Sequence, residues 1–155
     1  AYVSDFGFGF KVTVQPGPGG LATTLPRIFN SNDLDPTSPD TDLQVLEGNL
    51  LIIQQDGDVR PNDNAKGGKM VFVFDEPTTV LGLQLIDTIH SIQVDTLDGT
   101  IIARPTNGQV VDHVVAQANV PRIQVTLPNS GAIGRLLICR PKELCDDEHG
   151  DTVVV

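Results

Sequence analysis

The chain has no tryptophan, one tyrosine and one methionine. Its core has to be built from Val, Ile, Leu and six Phe. A sugar site made of stacked rings would have few rings to use. Basic residues are scarce as well: ten Lys and Arg stand against twenty Asp and Glu, a formal net charge of −10. Such a surface repels phosphate, which excludes nucleic acid and anionic membranes as natural partners. No apolar run reaches the roughly 18 residues of a membrane-spanning helix. There is no Gly-x-Ser-x-Gly elbow, no phosphate-binding loop and no His-Glu-x-x-His. His90, His113 and His149 lie far apart in the sequence. The residues point away from an enzyme.

Cysteine is nearly absent too. Cys139 and Cys145 are the only two, with five residues between them, a spacing that matches no zinc or redox motif. They are expected to close a small C-terminal disulfide loop, which implies an oxidising compartment. Two free thiols are the alternative. No Asn-x-Ser/Thr sequon occurs, so N-linked sugar of that type is not expected. The chain begins at Ala1 rather than Met, as a processed end would. The expected location is secreted, extracellular or cell-surface.

What is present is turn chemistry and alternation. Fifteen Gly and eleven Pro punctuate stretches rich in Val, Ile and Thr. This is the composition of short strands cut by frequent turns. At the N-terminus Phe6, Phe8, Phe10, Val12 and Val14 alternate with Gly7, Gly9, Lys11 and Thr13, the period of a strand with one apolar face. Pro16, Gly17, Pro18, Gly19 and Gly20 follow, a run that continues neither strand nor helix and reads as a hinge. Leu50–Ile53 and Met70–Phe74 are continuous apolar runs, short enough for strands buried on both faces. Asp75-Glu76-Pro77 reads as a strand end. Leu81, Leu83 and Leu85 alternate again, as do Ile92 and Val94, and then Ile123, Val125 and Leu127. Asp98-Gly99 and Asn107-Gly108 signal hairpins, and Ser130-Gly131 signals a turn. The pattern predicts an all-β, antiparallel β-sandwich of about nine or ten strands, jelly-roll-like or immunoglobulin-like, with a closed barrel as the alternative. The expected organisation is an N-terminal strand arm over residues 1–15, a hinge over 16–20 and one domain over 21–155.

Two polar loops carry acids. Asp33, Asp35, Asp40 and Asp42 fall within ten residues, and Asp56, Asp58 and Asp63 form a second set. Calcium takes six to eight oxygen ligands and tolerates irregular loops. The spacing is not that of an EF-hand, because Pro36 interrupts it and the glycine and terminal Glu are missing. Solvated Asp side chains that cap turns are the alternative.

From Gly48 to Cys139 the chain is similar to uncharacterised bacterial secreted domains. The matching stretches are Gly48 to Gln54, Pro61 to Gly68, Phe72 to Pro77, Leu83 to Asp87, and Ser130 to Ile133 before Cys139. The resemblance implies an extracellular β-sandwich in which Asp87 and the loop acids serve as calcium ligands. The N-terminal arm and its joint resemble, in architecture, pilus subunits assembled by donor-strand complementation. Two functions follow as expectations. One is a structural subunit of an extracellular filament that donates Phe6, Phe8, Phe10, Val12 and Val14 to the next copy, giving a head-to-tail homopolymer. The other is a secreted, calcium-stabilised binding or adhesion module, with glycans among its partners and the N-terminal strand folded in cis.

Overall fold

In the computed structural model, residues 9–87, 92–96, 99–103, 110–139 and 151–154 are described. Phe6 and Phe8 of the predicted arm and Cys145 of the predicted disulfide lie outside them. The protein is all-β and antiparallel, with no helix among the described residues, and hence none long and apolar enough to cross a membrane.

The strands are β1 (Phe10–Pro16), β2 (Arg27–Asn30), β3 (Asn49–Ile52), β4 (Gly68–Ile86), β5 (Ile92–Thr96), β6 (Gly99–Ala103), β7 (Val110–Leu127), β8 (Ala132–Cys139) and β9 (Asp151–Val154). They form one hydrogen-bonded sheet in the order β2-β3-β8-β4-β7-β5-β6, with β1 on β4 and β9 on β8. β4 and β7 run its whole length together. At one end, β4 lies between β1 and the last residues of β7, which in turn hold β5. At the other end, β4 lies between β8 and the first residues of β7. Both long strands bend midway. β4 shifts register between Val73 and Thr78 and twice more before Gly82. β7 answers with left-handed backbone at Ala116 (φ 50°) and Asn119 (φ 54°).

Two strand boundaries differ from the sequence reading. Pro77 does not end a strand but sits inside β4, in the gap between Val73 and Thr78 where no residue pairs with β7. A proline that removes a ladder donor is tolerated at such an irregularity. The alternating stretch Ile123, Val125 and Leu127 is likewise only the last part of a longer strand, β7.

The core follows period two. Phe10, Val12 and Val14 of β1 bury their side chains against Met70, Phe72 and Phe74 of β4. The Phe10 ring lies 6.1 Å, centroid to centroid, from both Phe72 and Phe74. Leu51, Ile53, Leu83, Leu85, Ile133, Leu136 and Ile138 join the same cluster from the other end of the sheet. A second cluster takes the alternate residues: Phe29, Leu50, Ile52, Ile86 and Ala132, covered by Leu43. The run Leu50–Ile53 is therefore buried on both faces, as its sequence predicts. The run Met70–Phe74 is not: Val73 is 45% exposed and Val71 is half-buried, whereas Met70, Phe72 and Phe74 are buried.

Candidate functional site

Residues 31–48 leave β2, cross the sheet and return to β3. The neck of this loop is tied at Ser31, whose N–H and Oγ both donate to the Gly48 carbonyl at 2.8 Å. The Ser31 hydroxyl also accepts the Glu47 N–H at 2.9 Å. Leu43, fully buried, seats the loop on the second cluster. That seating brings Asp40 and Asp42 against the sheet.

The second acidic loop, 54–67, is built by amides. Gln54 Nε2 donates to the carbonyls of Gln55, Asp58 and Arg60 at 3.0–3.1 Å. Asn64 Nδ2 donates to the Gly67 carbonyl at 2.8 Å, and the Asn64 N–H to Ile53 at 2.7 Å. Gly67 adopts φ 59°, and a side chain there would collide with the Leu127 and Asn129 carbonyls. These constraints present Asp63 inward. Asp87 follows directly on β4, itself in left-handed backbone at φ 52°.

Asp40, Asp42, Asp63 and Asp87 consequently meet. The Asp63 N–H donates to Asp40 Oδ2 at 2.9 Å. The Gly131 N–H, from the turn before β8, donates to Asp63 Oδ2. Asp40 and Asp42 share a side-chain hydrogen bond, and so do Asp42 and Asp87. Asp40, Asp63 and Asp87 are 4%, 9% and 5% exposed, while Asp42 stands at the mouth.

No Lys or Arg among the described residues pairs with this group; the ion pairs there are Arg60–Asp35 and Arg135–Glu47. Burial without a counter-charge favours the protonated acid. Burial, the hydrogen bond with Asp42 and the Asp63 charge push Asp40 up to about 9. Burial, with the Asp42 and Asp87 charges, pushes Asp63 up to about 7 against the pull of the Gly131 N–H. Burial and Asp42 push Asp87 up to about 6. Asp42 is held below the usual range, chiefly by the hydrogen bond from Asp40.

Of the eight aspartates the sequence singles out, these four converge and four do not. Asp35 accepts from Thr37 and pairs with Arg60 at 2.6 Å on the outer side of the loop. Asp33 is exposed. In the second loop, Asp56 caps Gly57 and Asp58 accepts from Asn62. The carboxylates hydrogen-bond to one another rather than standing as an open shell: no group of three or more acids, His or Cys among the described residues is already spaced to hold an ion. The donor set is nonetheless all hard oxygen, the chemistry that suits calcium rather than a softer metal.

The remaining predicted residues are placed as follows. Phe10, Val12 and Val14 are buried in their own chain. The Pro16–Gly20 joint is a packed turn: the Gly17 N–H donates to Gly67 at 2.8 Å, and Gly20 lies against Pro16 and Asn64. Cys139 is buried, and no free cysteine occurs among the described residues. Residues to which the sequence reading gave no part in the site are Gln54, Asn64, Arg60 and Gly131, which organise the loops without being acidic.

No known protein-family model matches this chain, and no curated protein is significantly similar to it.

Proposed function

We propose that the protein is an extracellular, calcium-stabilised β-sandwich module of the binding or adhesive kind, with its N-terminal strand folded in cis. The observation that carries this reading is the convergence of four aspartates, three of them buried, with no cationic side chain among the described residues to neutralise them. Burying carboxylates uncompensated is costly, and a divalent cation in place of the shared protons removes that cost. Asp40, Asp42, Asp63 and Asp87 would hold it, and its role would be to fasten loops. A shared core beneath both ends of the sheet supports the sandwich arrangement. Glycans are the partner class of this reading, to be tested on an array. Calorimetric titration of the protein with calcium tests the cation itself; absence of binding heat together with an unchanged melting temperature would sink it. The Cys139–Cys145 bridge is proposed with it, and alkylation with and without reductant tests that bridge.

A second reading, the strand-donating filament subunit, has one observation in its favour. β1 pairs with β4 alone among the described residues, so exchanging it between copies breaks a single ladder. Its loss would open a groove over Met70, Phe72 and Phe74. Negative-stain microscopy of the intact chain, and of the chain lacking residues 1–15, decides it. Fibres that persist after the deletion rule out donation by this strand.

A further inference from the structure

The sheet face that Leu43 covers over Ile86 continues past Glu47 onto Gln84 and Gly82 of β4. The register there sets its relief. Gly82 lies between Val114 of β7 and Leu137 of β8, and Gln84 lies between Asp112 and Arg135. Gly82 has no side chain, so the floor drops between two apolar walls. These six residues line a hollow of about 320 Å³. Val114 is 81% exposed at its rim, and Asp112 is exposed beside it.

The buried polar groups of the hollow are incompletely bonded. Gln84 is 2% exposed. Its Nε2 donates to Glu47 Oε2 at 3.4 Å. Its Oε1, over the bare Cα of Gly134, accepts no hydrogen bond among the described residues. Arg135 Nη2 donates to the same Glu47 oxygen at 2.7 Å, while its buried Nε has no partner there. Buried polar atoms are rarely left in that state.

We propose that this hollow binds a neutral sugar ring of a glycan. The proposal rests on the glycan partner class named above and is independent of the cation. The Asp112 carboxylate only accepts, the Arg135 guanidinium only donates, and Gln84 Oε1 lacks a donor. A hydroxyl is the group that serves all three. β7 and β8 stand about 10 Å apart across β4, a span that one ring and its hydroxyls bridge. The C–H face of the ring settles on Val114 and Leu137 above Gly82. Turning the Gln84 amide towards it costs little, because that terminal torsion is soft. With opposite charges on the two walls, an uncharged ligand is favoured over an ionic one.

An array of immobilised neutral and charged glycans, probed with the full chain, tests the site. The intact protein should be retained on neutral glycans. Asp112→Asn should lower that retention about tenfold or more, and Gly82→Val, which fills the floor, should abolish it. If Gly82→Val fails to fold, Asp112→Asn decides alone. Arg122→Gln, outside the hollow, should bind as the intact chain does, and loss there overturns the proposal. Retention that neither Asp112→Asn nor Gly82→Val alters leaves the glycan reading standing and removes this site. No retained glycan removes both, and the calcium titration judges the cation separately. Retention confined to charged glycans overturns the neutral ring. A dimer of the intact chain in sedimentation that Gly82→Val breaks would assign the hollow to a second copy and overturn the proposal.

Discussion

The Asp63 N–H donates to the Asp40 carboxylate at 2.9 Å across a separation of 23 residues. This bond joins two loops that leave the sheet from different strands, so what stabilises the carboxylates stabilises both loops.

Calcium should therefore raise the melting temperature. At about 100 Kd the linkage amounts to about 2.7 kcal/mol, or about 5–10 °C for a chain of this size. Asp63→Ala should abolish the shift, as read by differential scanning calorimetry. An unchanged calcium response in that variant would place the ion elsewhere.

In chelator, stability should fall as pH rises. Asp40, Asp63 and Asp87 hold protons in the folded protein at pH values where the unfolded chain, near 3.8, has released them. The folded state then binds more protons, and stability is lost with rising pH. The loss should begin near pH 4 and continue through about 6, 7 and 9. Urea midpoints at pH 5, 7 and 9 check it, and a midpoint that rises across this series contradicts it.

Phe10 and Phe72 should be coupled within one molecule. Either Phe→Ala change should cost about 3–5 kcal/mol, and a double-mutant cycle should return about 0.5–1.5 kcal/mol of ring–ring interaction. If β1 folds in cis, these values will not vary with protein concentration. Denaturation at two concentrations differing tenfold reads this out.

Arg60→Ala is the quiet variant. Its ion pair with Asp35 is solvent-exposed, and such pairs contribute about 1 kcal/mol or less. Melting should drop by a few degrees at most, with the calcium shift intact. Loss of the calcium shift would mean that Asp35 belongs to the ion site.

Much of the sheet was legible because burial imposes period two. Phe10, Val12 and Val14 alternate because one face is wet, and Leu50–Ile53 does not alternate because both faces are covered. The strand boundaries were harder to read. Pro77 resembles a terminator, and only the register shift on β7, a property of the partner strand, explains why the chain passes through it. Asp40, Asp42, Asp63 and Asp87 could be named from composition and resemblance. Their separation from Asp33 and Asp35 could not, because it depends on which side of the loop Leu43 anchors. Gly131 contributes a backbone N–H, which no residue type announces.

β4 and β7 each serve both ends of the sheet, and this governs how the molecule can come apart. Neither end is a module that evolution or an engineer could excise, since any cut would sever the same two strands. Load applied to one end passes directly to the other along continuous backbone. The sheet should yield in a single event, and new sequence can be inserted only where the chain leaves those two spans.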